Sequence, residues 1–487
     1  MAYTNLREFI KELEKSGELK RIKTVVSPDL EITEITDRIS KAHGPALLFE
    51  KVEGSEMPLL INAFGSKKRM AMALNVENLN EIAAEIESLI HIEPPESIID
   101  KLKTIGMLAR LAKFPPKMVK RAACQDVVYE GGKASLNKLP IIKCWPKDGG
   151  KYITLPQVFT KNLTTGQRNV GMYRMMVFDE RTTGMHWQIH HDGAANYRQY
   201  KEAGQRMPVA VAIGGDPVMS YAASAPMPPS FDEVLLAGFL RKESVPLVKC
   251  KTIDMEVPAN ADIVMEGYVE PDETRTEGPF GDHTGYYSLE DDYPVFHITC
   301  ITHRKNPIYQ TTIVGKPPME DCYMGKATER IFLPLIKMQL PEIVDINLPL
   351  FGVFHNFVLV SIDKRYPYHA KKVMHSIWGL GQMMFSKFII VVDKNVDVQN
   401  VEEVLFRVGS NVDPKRDITF VDGPVDVLDH ASPLLGVGSK MGIDATTKWH
   451  SEGFQREWPE EMEMPEEIIE LVNKRWRKYG FESFELV

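Results

Sequence analysis

Cysteine is scarce in this chain of 487 residues. Its five cysteines never form a CxxC pair, which excludes a disulfide scaffold or a zinc ribbon and favours a reducing cytoplasm. Basic residues are in the minority, since 58 Lys and Arg face 67 Asp and Glu and leave a net charge of −9. That balance argues against a nucleic-acid partner or a polybasic membrane-surface protein. No apolar run approaches the roughly 18 residues that a membrane span needs, so we expect a cytoplasmic protein.

The pattern of apolar residues divides the chain into three parts. We predict an N-terminal α/β domain over 1–118, a β-rich domain over 119–320 and a C-terminal α/β domain over 321–487. In the last, the runs FVLVSID, FIIVVD and ITFVD alternate with helical patterns, which predicts a βαβαβ unit and a parallel sheet. Helical patterns are predicted at 5–17, 78–90, about 96–113, about 230–241, about 367–384, about 400–409 and about 464–478.

The stretch Arg168–Arg174 is dense in polar groups for strand territory. Asn169 and Arg174 would face opposite sides of an unbroken strand, and a turn or bulge at Gly171 would bring them together. The alternative interpretation is an asparagine in a turn and a solvated arginine.

The stretch EGPFGDHTGYY places Glu277 and Asp282 on a turn rich in glycine and proline. Two carboxylates beside an arginine form a common acid–base arrangement, because the arginine keeps one ionised while the like charge raises the pKa of the other. A surface loop with solvated acids is the alternative.

Three other stretches carry candidate ligands. The run His186–Asp192 holds imidazoles beside a carboxylate, which suits a metal site or ordinary hydrogen bonding. Glu233 starts a helix, where an acid is also favoured by the helix dipole. The glycines around Lys440 suit a phosphate-binding loop, although no Walker A, GxGxxG or GxSxG motif is present.

Together these stretches resemble the UbiD-type decarboxylase family. The shared motifs are collinear over essentially the whole chain: NVGMYR, the helix with Glu233 after SAPMPP, VPANADIVMEGYV, EGPFGDHTGYY and GSKMGIDAT. The resemblance implies prenylated FMN, a modified flavin, as cofactor. It also implies an α/β multidomain fold with an N-terminal α/β part, a central flavin-binding split barrel and a C-terminal α/β part.

The resemblance also implies a role for each matching residue. Arg174, Glu277 and Asp282 match the catalytic arginine and two acids, with Asp282 as proton donor. Asn169 and Glu233 match ligands of a divalent metal, usually manganese, which His190 or His191 completes; we prefer His191. It implies a loop for a monovalent cation such as K⁺ at Ser224 and Met227, and a phosphate-binding lysine at Lys440. The residues implied to line the flavin are Met172, Tyr173, Arg174, His186, Trp187, Gln188, His191, Asp192, Ser224, Met227 and Lys440.

The quinone-pathway branch, which acts on polyprenyl-4-hydroxybenzoate, is the nearest in pattern. His186 and His191-Asp192 depart from the more basic residues of that branch, so a naphthoate or a small phenolic acid stays open as substrate. The resemblance further implies a flavin prenyltransferase as cofactor supplier, a homo-oligomer (dimer or hexamer) and peripheral contact with the inner membrane if the substrate is polyprenylated. Two other classes remain: an FMN-binding oxidoreductase on the same barrel, and a non-catalytic binding protein.

Overall fold

The computed structural model describes residues 2–90, 113–188, 191–228 and 231–481, with the backbone alone for residues 89 and 90. The helix predicted at about 96–113 lies almost entirely outside these ranges. His190, one of the two histidines considered as a metal ligand, lies outside them as well.

The N-terminal part begins with the predicted amphipathic helix. Asn5 caps it by accepting a hydrogen bond from the amide of Arg7 at 2.9 Å, and Glu8 accepts one from the amide of Thr4 at 2.7 Å. Gly17 ends the helix with a φ of +75°. The elements are α1 (Leu6–Lys15), β1 (Leu19–Ile22), α2 (Glu31–Lys41), β2 (Ala46–Phe49), β3 (Leu59–Ile61), α3 (Lys67–Ala73) and α4 (Asn80–Ile90).

The central part is rich in short strands, as the turn spacing predicts. Its helices are α5 (Asp192–Glu202), α6 (Pro217–Ala222) and α7 (Glu233–Arg241). Its strands are β4 (Lys117–Met118), β5 (Val127–Glu130), β6 (Tyr152–Ile153), β7 (Gln157–Lys161), β8 (Arg168–Gly171), β9 (Met175–Met176), β10 (Thr182–Gly184), β11 (Met207–Ile213), β12 (Pro246–Lys249), β13 (Glu256–Pro258), β14 (Ile263–Glu277), β15 (Asp291–His303) and β16 (Tyr309–Gln310).

One antiparallel sheet dominates this part. Its strand order is β10-β15-β14-β11-β7-β8, with β5 also paired to β15, and among the described strands the path does not close on itself. The smaller sheets are β13-β12-β4 and β6-β9. The α/β multidomain fold class is confirmed.

The N-terminal part shares both a sheet and a core with the central part. Strand β16 pairs in parallel with β3, so the first sheet has the order β1-β2-β3-β16. The buried side chains of Leu6 and Phe9 on α1 belong to one apolar cluster, the first core cluster, with Phe159 on β7 and Ala210 on β11. This burial fixes the two parts against each other.

The C-terminal part contains the predicted alternation of strands and helices. Its elements are α8 (Glu320–Gln339), β17 (Ile343–Asn347), β18 (Phe357–Ile362), α9 (His369–Trp378), β19 (Phe388–Asp393), α10 (Val401–Asn411), β20 (Ile418–Pro424), β21 (Val437–Asp444) and α11 (Glu466–Arg475). The sheet order is β17-β18-β19-β21-β20.

The prediction of a βαβαβ unit ending in ITFVD is wrong for its last strand. Strands β18, β19 and β21 are parallel, whereas β20, the ITFVD strand, lies at the edge and runs antiparallel to β21. Because its side chains alternate between partly buried and exposed, β20 suits an edge position, and the inner place goes to β21.

The glycine-rich stretch around Lys440 is therefore a strand, where a loop was expected. Gly442 serves helix packing, since a Cβ there would come within 2.5 Å of the Met374 sulfur and 3.1 Å of the Trp378 ring. Gly442 thus permits the close approach of α9 to the sheet.

Candidate active site

Arg174 is the centre of a buried ionic cluster. Strand β8 ends at Gly171, and the chain between β8 and β9 carries the arginine to the end of β14. Its Nε donates to Glu277 Oε1 at 2.8 Å, its Nη1 donates to Asp282 Oδ2, and its Nη2 donates to Ser288 at 3.3 Å. The structure therefore brings together the three residues that the sequence suggested as an acid–base set.

The guanidinium plane is held by a ring as well as by acids. The Arg174 Cζ lies 4.5 Å from the centre of the Phe280 ring. The next residue, Gly281, donates its amide to Asp148 at 2.8 Å, and Asp148 also accepts from the amide of Trp145 at 2.8 Å. Asp148, which the sequence analysis did not single out, thus fixes the loop that presents Asp282.

Glu277, the last residue of β14, is 1% exposed. Its Oε1 accepts from His186 Nδ1 at 2.9 Å as well as from Arg174, while its Oε2 has no hydrogen-bond partner within the described part of the chain. Burial raises the pKa of Glu277, but the His186 hydrogen bond and the charges of His186 and Arg174 outweigh it, so the pKa is lowered. Glu277 is therefore held ionised.

Asp282 is ionised for a related reason. Burial alone would raise the pKa of Asp282, yet the hydrogen bond and charge of His283, followed by the charge of Arg174, lower it well below its usual range. The two acids therefore share one arginine, and each also has its own histidine.

A second cluster surrounds the Tyr173 ring. The ring lies 5.1 Å from His191 and 6.4 Å from Trp187, and the hydroxyl accepts from the amide of Gly193 at 3.4 Å. Burial, together with the charge of Glu233, raises the pKa of Tyr173 to about 12, although a hydrogen bond with Asn169 opposes this rise. Asn169, His191 and Glu233 thus lie around one phenol.

Glu233 is the buried acid of this cluster, and its ionised form would be stabilised by a cation. It is 4% exposed, and its Oε2 accepts from the amide of Val170 at 2.8 Å. Burial, together with the charges of Asp232 and Asp192, raises the pKa of Glu233 to about 7, although backbone hydrogen bonds oppose this rise. An amide oxygen, a carboxylate and an imidazole are donors that suit a divalent manganese-type ion, so the residues fit the metal that the resemblance implies.

The remaining candidates are divided between these clusters and other places. His186 belongs to the ionic cluster and stacks on Tyr293 with 4.3 Å between ring centres. Asp192 begins α5, and Trp187 packs on Tyr197 at 5.6 Å. Gln188 is partly buried beside them, and Met172 packs against the first core cluster.

Ser224, Met227 and Lys440 lie in separate surroundings. The Ser224 hydroxyl donates to the Tyr221 carbonyl at 2.7 Å in the turn after α6, and Met227 packs against the first core cluster. Lys440 is buried in the C-terminal sheet and donates to the Met384 carbonyl. The roles of these three residues toward a flavin stay predictions.

Two histidines were missed by the sequence analysis. His283 Nδ1 lies 3.0 Å from Asp282 Oδ1, and His283 Nε2 lies 3.0 Å from His355 Nε2. His283 could have been singled out, because it directly follows an acid in the EGPFGDHTGYY stretch. No pattern points to His355, since it lies on a loop of the C-terminal part.

Profiles of three domains of 3-octaprenyl-4-hydroxybenzoate carboxy-lyase match this chain. The N-terminal domain matches residues 10–86, the Rift-related domain 117–317 and the C-terminal domain 322–445. An uncharacterized protein of Archaeoglobus fulgidus is 53% identical, over 98% of this chain and 99% of its own length. An uncharacterized protein of Aquifex aeolicus is 52% identical, over 99% of each.

Solved structures show the same likeness. The closed form of vanillic acid decarboxylase from Sedimentibacter hydroxybenzoicus superposes with a TM-score of 0.86 at 28% identity and full coverage of both chains. The UbiD-class enzyme HmfF from Pelotomaculum thermopropionicum, in complex with FMN, gives 0.80 at 28% identity, over 96% of this chain and 99% of its own. Fold and comparisons together define a carboxy-lyase. More particularly, the chain belongs to the UbiD family.

Proposed function

We propose that this enzyme catalyses the reversible, non-oxidative decarboxylation of an aromatic carboxylic acid with prenylated FMN. The observation that carries the proposal is the single guanidinium of Arg174, which holds both Glu277 and Asp282 in a buried site. A flavin reductase has no need of such an acid pair, which argues against a simple FMN-binding oxidoreductase. When bound, prenylated FMN would supply the electron sink that side chains cannot provide.

Arg174 is the residue through which substrate binding would act on Asp282. A substrate carboxylate that binds the guanidinium competes with the acids for its N–H groups. Because the charge of Arg174 contributes to the low pKa of Asp282, weakening that contact raises this pKa and favours the protonated acid. Asp282 would then give its proton to the carbon that carbon dioxide has left.

Glu277 would keep Arg174 in place during this exchange. It accepts from Arg174 Nε and from His186, so it remains an anchor when the other guanidinium nitrogens turn to the substrate. The residues that would hold manganese, which would in turn bind the flavin phosphate, are Asn169, His191 and Glu233. Ser224 and Met227 would form a loop that binds K⁺, and Lys440 would bind phosphate.

We propose a 4-hydroxybenzoate-type acid as substrate, with a role in quinone biosynthesis if the acid is polyprenylated. The likeness to vanillic acid decarboxylase favours a small phenolic acid as the second candidate. A naphthoate is the third. The first two candidates share a para-hydroxyl group, which would help the aromatic ring to react with the bound cofactor.

The proposed setting is a cytoplasmic homo-oligomer, a dimer or a hexamer, loaded by a flavin prenyltransferase. Among the described helices, none is both long and apolar enough to span a bilayer. Contact with the inner membrane is proposed to be peripheral, and only for a polyprenylated acid.

The proposal is tested by replacing Glu277. We expect Glu277→Gln, made in enzyme co-expressed with a flavin prenyltransferase, to abolish carbon dioxide release, because the neutral amide cannot anchor Arg174 as an ion pair. Bound flavin, measured by absorbance and mass, should remain. A panel of 4-hydroxybenzoate, vanillate and a hydroxynaphthoate identifies the substrate.

Glu273→Gln is the matched control. Glu273 lies on the same strand and also pairs with a histidine, His297, at 2.6 Å. It should retain activity. Undiminished turnover by Glu277→Gln would contradict the mechanism, and ordinary FMN with NADH oxidation in the wild type would favour the oxidoreductase instead.

A further inference from the structure

A pair of histidines joins the catalytic loop to the C-terminal part. His283 directly follows Asp282, whereas His355 lies between β17 and β18. Their Nε2 atoms are 3.0 Å apart, and His355 is 8% exposed. The third group is Asp426, from the loop between β20 and β21, whose Oδ2 lies 4.0 Å from His355 Nε2. One nitrogen or oxygen from each residue falls within 4.8 Å of the others.

This spacing is close to that of ligands around one small cation. Two imidazole nitrogens bound tetrahedrally to zinc at about 2.0–2.1 Å lie about 3.3 Å apart. The observed 3.0 Å needs little change, whereas the Asp426 carboxylate, 4.0 Å from His355 Nε2 and within 4.8 Å of the His283 nitrogen, has to approach by up to ~1.5 Å. Its Oδ1 accepts from the amide of Leu428 at 2.8 Å, which leaves Oδ2 facing the imidazoles.

The second nitrogen of His283 is also held as in a metal site. Its Nδ1 lies 3.0 Å from Asp282 Oδ1, so a carboxylate orients the ring and leaves Nε2 directed at His355. Carboxylate–histidine pairs of this kind commonly stand behind bound zinc, where they fix the tautomer and raise the basicity of the ligand nitrogen.

The surroundings are acidic beyond the ligands themselves. Asp282 and Asp429 are paired with Arg174 and Lys387, respectively. The charge of Asp321, however, acts directly on His283, and its Oδ2 is buried without a hydrogen-bond partner among the described residues. Without a cation, the two facing Nε2 atoms must share one proton between them. A divalent ion would replace that proton and neutralise the acids.

We propose that His283, His355 and Asp426 bind one divalent ion of the zinc type, with water completing the tetrahedron. The site is separate from the Asn169, His191 and Glu233 cluster and needs no flavin. The ion clamps the loop that carries Asp282 to the C-terminal part, because its ligands come from both.

The test is zinc binding by flavin-free protein from which metals have been removed by chelation. Isothermal titration with ZnCl₂ should show a site that is weakened by more than about 100-fold in His355→Ala, since even changes behind the ligands cost about 10–100-fold. His375→Ala, an exposed histidine on α9, is the matched control and should bind as the wild type does. Any zinc bound at Glu233 contributes equally to all three proteins.

A second variant guards against misfolding. Asp426→Asn keeps the size of the side chain, and it should weaken zinc binding while the Tm of the metal-free protein stays unchanged. Zinc should raise the Tm of the wild type and of His375→Ala by more than it raises the Tm of His355→Ala. Equal zinc affinity in the wild type, His355→Ala and Asp426→Asn would overturn the proposal and reduce the histidine pair to a hydrogen bond. The readout does not depend on decarboxylase activity, so the two proposals can fail separately.

Discussion

At the scale of the residue, Glu233 shows how burial suits a carboxylate to the proposed metal site. Its carboxylate is buried near two other acids, and its pKa is raised to about 7. The ionised form is therefore destabilised, and a bound cation would stabilise it. We expect Glu233→Ala to lose both manganese and flavin, measured by metal analysis and flavin absorbance of purified protein. Glu202→Ala, at the exposed end of α5, should keep both. Full occupancy of each in Glu233→Ala would remove this residue from the set of ligands.

Glu277 gives a prediction about stability and pH. Because the pKa of Glu277 is lowered in the folded protein, the unfolded chain binds its proton more tightly, and the stabilisation is present above the unfolded value of about 4.3. It is lost as the pH falls through the folded pKa. The free energy of unfolding of the wild type should exceed that of Glu277→Gln most near pH 7, and this excess should shrink toward pH 3.

Urea denaturation across that range measures the difference. An excess that grows as the pH falls would mean that Glu277 is not held ionised by Arg174 and His186.

At the scale of the element, β14 depends on one glycine. The register between β14 and β15 shifts at Glu266/Gly267, and a Cβ on Gly267 would lie 1.9 Å from the main-chain oxygen of His297. Backbone cannot yield as a side chain can, so Gly267→Ala should lower the free energy of unfolding by at least about 1–3 kcal/mol. Because β14 ends at Glu277, activity should fall as well.

Gly409→Ala is the control for this substitution. Gly409 lies on α10, and no atom comes within 4 Å of a Cβ built there. Alanine should raise stability by about 0.5–1 kcal/mol. Chemical denaturation of both variants checks the pair, and a neutral Gly267→Ala would show that the sheet accommodates the extra carbon.

Element types were partly predictable from the sequence, whereas strand order was not. Periodicity and turn signals predict the β-rich middle and the helices α1, α4, α7, α9, α10 and α11, but they missed α2, α3, α5, α6 and α8. The position of β20 could not be predicted, because its direction is set by its pairing with β21. The glycines of β21 are typical of a loop when the sequence is considered alone. Arg174, Glu277 and Asp282 could be chosen by residue type, but their meeting at one guanidinium depends on how β14 and the β8–β9 connection are placed.

At the scale of the whole molecule, the net charge of −9 means that affinity for anionic ligands must come from local cations such as Arg174 and the proposed metal. Association between copies of the chain is a second property of the whole molecule. Helix α11 exposes Ile468, Ile469 and Leu471 at 40%, 48% and 40%, and we expect a second copy of the chain to cover them.

Light scattering coupled to gel filtration tests this expectation. The wild type should be oligomeric, and Ile469→Glu should shift it to a smaller species. Val344→Glu, at a position of 40% exposure on β17, is the control and should not change the mass. A wild type that is already monomeric would contradict the expectation.

The pairing of β3 with β16 also affects how the chain is made. Leu59 pairs with Tyr309, so the first sheet lacks its fourth strand until residue 309 has left the ribosome. At a synthesis rate of 5–20 residues per second, ~10–50 s pass between the emergence of β3 and that of β16. Until then the edge of β3 lacks its partner strand. Synthesis rate and chaperone supply should therefore govern the soluble yield of this enzyme.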